Sequence, residues 1–187
     1  MSKIEELKTN AITLIAKHGF HSVSLRQLAK ATNIQPGSVY GHYKNKNEIL
    51  LELLTEYMED LIAAWSEKKK KIRDPKKLLA AFIEVYVNHY YAHKKESLII
   101  SLDIRSTDKK NRAQINLLTS SYESELISIL RKGAFAGTFK IDDFDMTGTA
   151  IKSLLIGICG TYCLHETLNQ KQVFESLLSI ASNMLKI

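Results

Sequence analysis

Apolar residues recur along this chain at helical rather than alternating intervals, in stretches long enough to form complete helices. Residues 3–18 place Ile4, Leu7, Ala11, Leu14 and Ile15 at that spacing, with Ser2 and Glu5 as a capping pair and Gly19 as the stop. Ser24 stands before LRQLAKA, where Leu25, Leu28 and Ala29 share a face and the serine is placed to cap a short second helix. Asn33 tolerates a left-handed backbone, and Pro36 suits the first turn of a third short helix ending near Tyr43. Two short helices joined by a tight turn and covered by a preceding helix form the helix-turn-helix arrangement.

From Lys46, the positions of Ile49, Leu50, Leu53, Leu54, Tyr57, Leu61 and Trp65 sustain a fourth helix up to the run Lys68–Lys71. Those lysines suit the negative end of a helix dipole. Arg73-Asp74-Pro75 then breaks the chain and is the expected hinge between two modules. Beyond it the pattern predicts helices near 76–94, 96–105, 108–132, 145–165 and 170–186, with a glycine-containing turn over 133–139. The expectation is an all-α protein of about nine helices, divided at 1–46 and 47–187. Gly148, Gly157 and Gly160 each cost an isolated helix about 1 kcal/mol, which close packing of another helix offsets. Leu154 and Ile158 on that helix, with Phe174, Leu177 and Leu178 on the last, therefore predict a four-helix interface between two copies.

Composition agrees with the helical reading. Leu and Ile number 44 against five Val, with only two Pro and eight Gly, and 45% hydrophobic with 25% charged residues is a globular profile. Charge adds something the pattern does not. Of a net +6, residues 1–50 carry seven Lys/Arg against three Asp/Glu, a positive segment suited to DNA or to an acidic membrane surface. The uncharged run 153–165 is shorter than the roughly 20 residues of a membrane span. MSKIEELKTN lacks the apolar stretch of a secretory signal, so a cytoplasmic location is expected. Cys159 and Cys163, one turn apart, are read as reduced and buried.

Residues 11–50, AITLIAKHGFHSVSLRQLAKATNIQPGSVYGHYKNKNEIL, resemble the DNA-binding domain of the tetracycline-repressor (TetR) family of bacterial regulators. The likeness rests on Gly19-Phe20, Ser24 to Ala29, Gly37-Ser38-Val39-Tyr40, His42-Tyr43, Lys46 and Glu48-Ile49-Leu50. It implies that residues 1–46 bind DNA, that 47–187 bind a ligand and dimerise, and that the third helix enters the major groove. Gln35, Pro36, Gly37 and Ser38 open that helix, where side chains or N–H groups reach base edges or phosphate. Tyr40, His42 and Lys46 offer donors to phosphate oxygens. Each has another reading: Tyr40 as a core aromatic, His42 as a spacer, Lys46 as a solvated helix start. Arg26 can lie along the backbone or fork onto a guanine. Val23 stands where the family often has a phosphate-reaching threonine, a role moved here to Ser24, and Gly41 replaces a usually larger residue.

SLDIRSTDKKNRAQI, SYESELISILRKGAFAGTF and LLIGICGTYCL resemble the ligand domains of relatives that sense acyl-coenzyme A thioesters or related fatty and steroid-derived acids. Apart from likeness, helix 76–94 carries Phe82, Tyr86 and Tyr90 on one stripe and His89 and His93 on the next, and with Tyr122 these are either a pocket lining or ordinary core. His89 and His93 alone make a weak metal pair, so no metal and no cofactor is expected. No G-x-S-x-G, G-x-x-x-x-G-K or H-E-x-x-H occurs, so an enzyme is not expected. The leading expectation is a homodimeric repressor released from a palindromic double-stranded operator by a small-molecule effector. The other is a helical small-molecule-binding protein without specific DNA recognition.

Overall fold

The computed structural model describes residues 2–103, 107–165 and 168–186; the side chains of 102–103 and 163–165 also lie outside the described part. The helix end expected at Arg105 and any packing of Cys163 therefore fall beyond it. The described residues form α1 (Lys3–His18), a 3-10 turn (Phe20–Ser22), α2 (Leu25–Ala31), α3 (Pro36–His42) and α4 (Lys46–Lys69). There follow α5 (Pro75–Ala92), α6 (Lys94–Asp103), α7 (Lys109–Phe135), α8 (Phe144–His165) and α9 (Gln170–Met184), with no strand among the described residues.

Local chemistry explains most boundaries. Ser2 and Glu5 close a capping box on α1, Ser24 and Gln27 one on α2, and Asn169 and Gln172 one on α9. Asp74 caps α5 with Pro75 as its first residue, so the Arg73-Asp74-Pro75 break is a helix start. One expectation needs correction. Gly133 does not end α7. A Cβ there would lie 2.0 Å from the Phe139 ring, so its missing side chain makes room for that ring. The stop is Gly137, at φ 67°, where Thr138 N–H donates to Gly133 O at 2.8 Å and Gly137 N–H to Ala134 O at 3.0 Å. The third helix ends at His42, with Tyr43 as its C-cap.

Two compact units result, each built from two chain segments. The first holds residues 1–58 and 95–118, the second 59–94 and 119–187. Arg73-Asp74-Pro75, expected as the hinge, lies inside the second unit, and the unit boundary falls within α4. In the first unit Leu7, Ala11, Ile15, Phe20, Leu28, Val39, Ile49 and Leu50 share one core with Ile99 and Ile115 from the later segment. Tyr57 and Ser97 hydroxyls meet at 2.8 Å beside it. In the second, α5 packs on α8 and α9, and α8 on α9, burying Leu79, Phe82, Ile83, Ile151, Cys159 and Val173. Three lysines of the 68–71 run form ion pairs: Lys68 with Glu84 at 2.8 Å, Lys69 with Glu125 at 2.6 Å and Lys70 with Glu67. No described helix is long and apolar enough to cross a membrane.

Candidate nucleic-acid interface

The α2–α3 turn is shaped by its own residues. Asn33 takes φ 52°, letting Ile34 N–H donate to Ala29 O at 3.0 Å and Asn33 N–H to Lys30 O at 3.2 Å, which closes α2. Thr32, fully buried, turns its hydroxyl onto Leu28 O at 2.9 Å and accepts from Asn10 Nδ2 at 3.2 Å, so α1 holds the turn from beneath. Pro36 then starts α3 without an unpaired donor.

This arrangement buries Leu25, Leu28, Ala29 and Val39 and leaves the opposite side in solvent. Ser24, Arg26, Gln35, Pro36, Gly37, Ser38 and His42 are all exposed, and Tyr40 is 52% exposed, which excludes it as a core aromatic. The two helices thus present cationic, amide, hydroxyl and phenol groups to solvent around the start of α3. Ser24 is engaged in its cap, its hydroxyl 2.9 Å from Gln27 Oε1. Neither Gly37 nor Gly41 has any atom within 4 Å of where a Cβ would stand, so the backbone of α3 is open to close approach.

Lys46 is placed differently from the other candidates. Its ammonium donates to Phe20 O at 2.8 Å, His21 O at 3.1 Å and Val23 O at 3.2 Å, and sits 4.4 Å from the centre of the Phe20 ring. It is half-buried against the turn before α2, where the other candidates face solvent.

A second polar cluster escaped the sequence reading. Lys8 on α1 binds Glu52 and Glu56 on α4, and the hydroxyl of Tyr43, itself 6% exposed, donates to Glu52. Burial works against the charge of Glu52, but hydrogen bonds from Lys8 and Tyr43 outweigh it and hold the carboxyl below its ordinary value. Burial also opposes the charge on Lys8, yet the two carboxylates raise its pKa. The available signal was Glu52 and Glu56 at i, i+4, a like-charge pair that calls for a cation from elsewhere.

In the second unit Phe82 stacks on Tyr122 at 4.7 Å and meets Trp65 edge-on at 5.2 Å. His89 and Tyr90 are buried and Tyr86 half-buried, with the His89 and His93 rings 4.5 Å apart. Among the expected dimer residues, Leu154, Ile158, Phe174 and Leu178 are half-buried. Leu177 is a correction: at 2% exposure it faces the interior of its own unit and offers no surface to a second copy. Met146, Ile156 and Tyr162 on α8 and Ile180 and Met184 on α9 are the exposed large apolar residues of these helices among the described residues.

Residues 9–53 match bacterial regulatory proteins of the tetR family, and residues 73–185, more than half the chain, match the tetracyclin repressor-like C-terminal domain. The fatty acid metabolism regulator protein of Bacillus subtilis is 28% identical over 130 residues, covering 70% of this chain and 67% of that protein. A tetR-family regulatory protein from Rhodococcus superposes with a TM-score of 0.91 at 22% identity, covering 99% of this chain and 97% of the other. FadR from Bacillus subtilis in complex with stearoyl-CoA does so at 0.82 and 23%, covering 95% and 97%. At such identities the superpositions speak for the fold alone, whereas the sequence matches over both segments speak for descent. The chain belongs to the tetR family of bacterial regulatory proteins and is a DNA-binding transcription regulator.

Proposed function

We propose that the chain acts as a homodimeric repressor that leaves a palindromic operator when an acyl-coenzyme A thioester or related hydrophobic acid binds it. The observation that carries the DNA reading is the exposed face of α2 and α3, with Arg26, Gln35, Ser38, Tyr40 and His42 in solvent above Leu28, Ala29 and Val39. Residues 1–46 read DNA; residues 47–187 bind the effector and dimerise. In a dimer the two recognition helices stand about 34–36 Å apart to enter successive major grooves, which requires a near-palindrome. The cytoplasm, where the chromosome lies, is the corresponding location.

For the effector, support comes from the kinship with a fatty acid metabolism regulator and from the ring pairs Phe82–Tyr122 and Tyr86–Tyr90 with buried His89 in the same unit. For the dimer, it comes from exposed Ile156 and Ile180 and from Gly157, which has open space where a Cβ would stand. The test is fluorescence anisotropy on duplex DNA from upstream of the chain's own gene at two salt concentrations, against scrambled competitor. Saturable binding that survives competitor and is relieved by saturated acyl-CoAs of one chain-length range is expected. Binding lost equally for both duplexes as salt rises would leave only charge attraction, and would favour a helical ligand carrier.

A further inference from the structure

We infer that Lys109 and Lys110, in the first turn of α7, bind DNA phosphate and carry the nucleic-acid interface beyond residues 1–46. The inference rests on the DNA-binding reading above. By sequence these lysines fall in the segment 73–185 that matches the C-terminal domain, yet by packing they belong to the first unit, with α1, α2 and α3. Ile115, fully buried, shares one core with Ile49 and Leu50 of α4. Asn111, one helical turn earlier on the same face, donates from Nδ2 to Asn47 O at 3.5 Å. The start of α7 therefore lies against the first turn of α4.

α3 ends at His42, and only residues 43–45 separate it from Lys46, where α4 begins. Tyr40, His42 and Lys44 are exposed along that path, and Asn111 brings the first turn of α7 to its end. Lys109 and Lys110 directly precede Asn111. Both are exposed, and among the described residues neither side chain has a hydrogen-bond or ion-pair partner. The charges next to them in the chain are committed: Asp108 Oδ1 accepts from Asn111 N–H at 2.8 Å, and the Arg112 guanidinium donates to Thr107 O at 3.0 Å. Two ammonium groups thus face solvent beside a surface read as DNA-binding. On reaching a phosphate they release counterions from the duplex without giving up any bond within the protein. Such contacts position a protein on DNA and carry no base preference.

Lys109→Gln/Lys110→Gln, compared with wild type and with Lys76→Gln/Lys77→Gln, tests this. The second pair is also exposed in the first turn of a helix, α5, and its removal changes the net charge equally, but it belongs to the second unit. Cations in a first turn oppose the helix dipole, so neutralising either pair should not lower the melting temperature. Two duplexes serve as probes, each titrated over a range of salt: one selected from random DNA by the wild-type protein, and one of mixed sequence. Failure of the wild type to select any sequence would sink the DNA-binding reading itself, and the inference with it.

Given a selected site, the α7 variant is expected to lose on the order of tenfold in affinity for both duplexes, with the preference between them kept. Its plot of log affinity against log salt should become shallower by about 0.9 for each phosphate contact removed, hence by about 1.8 or more for two protomers on one site. The α5 variant should keep the wild-type slope. A wild-type slope in the α7 variant, with a site selected, would overturn the inference alone. Equal shallowing in both variants would do the same, because net charge would then act at a distance. A loss confined to the selected duplex would assign the pair to sequence reading, and a loss that follows a lowered melting temperature would assign it to general stability; either overturns phosphate binding.

Discussion

Tyr40 and Tyr43 lie three positions apart and are 52% and 6% exposed. Tyr43 follows buried Val39 by four residues and shares its side of the chain, whereas Tyr40, one residue after Val39, is turned about 100° away. Burial and the carboxylates of Glu52 and Glu56 push the Tyr43 hydroxyl up to about 12 from an ordinary 10. Folding thus favours the neutral phenol, and this contribution is complete below pH 10 and disappears as pH rises through 12. Unfolding in urea should show stability falling across that window. Tyr43→Phe should remove that part of the fall; an unchanged alkaline limb would contradict the assignment. Two glycines predict opposite signs. Gly41→Ala meets open space on a helix and should stabilise by about 1 kcal/mol. Gly133→Ala drives a methyl into the Phe139 ring and should destabilise by about 1–3 kcal/mol, both read from urea midpoints.

At the scale of elements, Glu125 joins α4 to α7: it accepts from the Trp65 indole at 3.1 Å and from Lys69 at 2.6 Å. Burial raises its pKa, but these two hydrogen bonds with the charge of Lys69 prevail and hold it below the ordinary range. A depressed carboxyl adds stability above its unfolded value and loses it as pH falls through the folded one. Glu125→Gln should therefore flatten the acid limb of a stability–pH curve; an unaltered limb would remove this group from the account. No pattern within either helix announces this contact, because its partners are some sixty residues apart. What was legible is local. Ser2 and Ser24 mark helix starts through hydrogen bonds within one turn, Pro36 marks one through its missing N–H, and the exposed side of α2–α3 follows from buried Leu28, Ala29 and Val39. Gly133 misled because a glycine serving a neighbouring ring reads, in sequence, like one serving a turn.

For the whole molecule, the prediction concerns which apolar residues of α8 and α9 face inward. Leu177, at 2% exposure, should cost about 2–5 kcal/mol of protomer stability when changed to Ala. Ile156→Asp, at a site 46% exposed, should leave the protomer folded and shift a dimer toward monomer in sedimentation equilibrium. A dimer indifferent to Ile156→Asp and Ile180→Asp together would place the interface elsewhere. The first unit, finally, has a consequence for biosynthesis. Its core takes Ile99 and Ile115 from a segment that follows residues 59–94 of the second unit in the chain. A ribosome delivers residues in order, so the basic N-terminal segment emerges well before the side chains that complete the first unit's core. The part of the molecule that reads DNA is begun first and finished late. A nascent chain carries its positive charge before it carries the full core of its first unit, which waits for Ile115, past the middle of the chain.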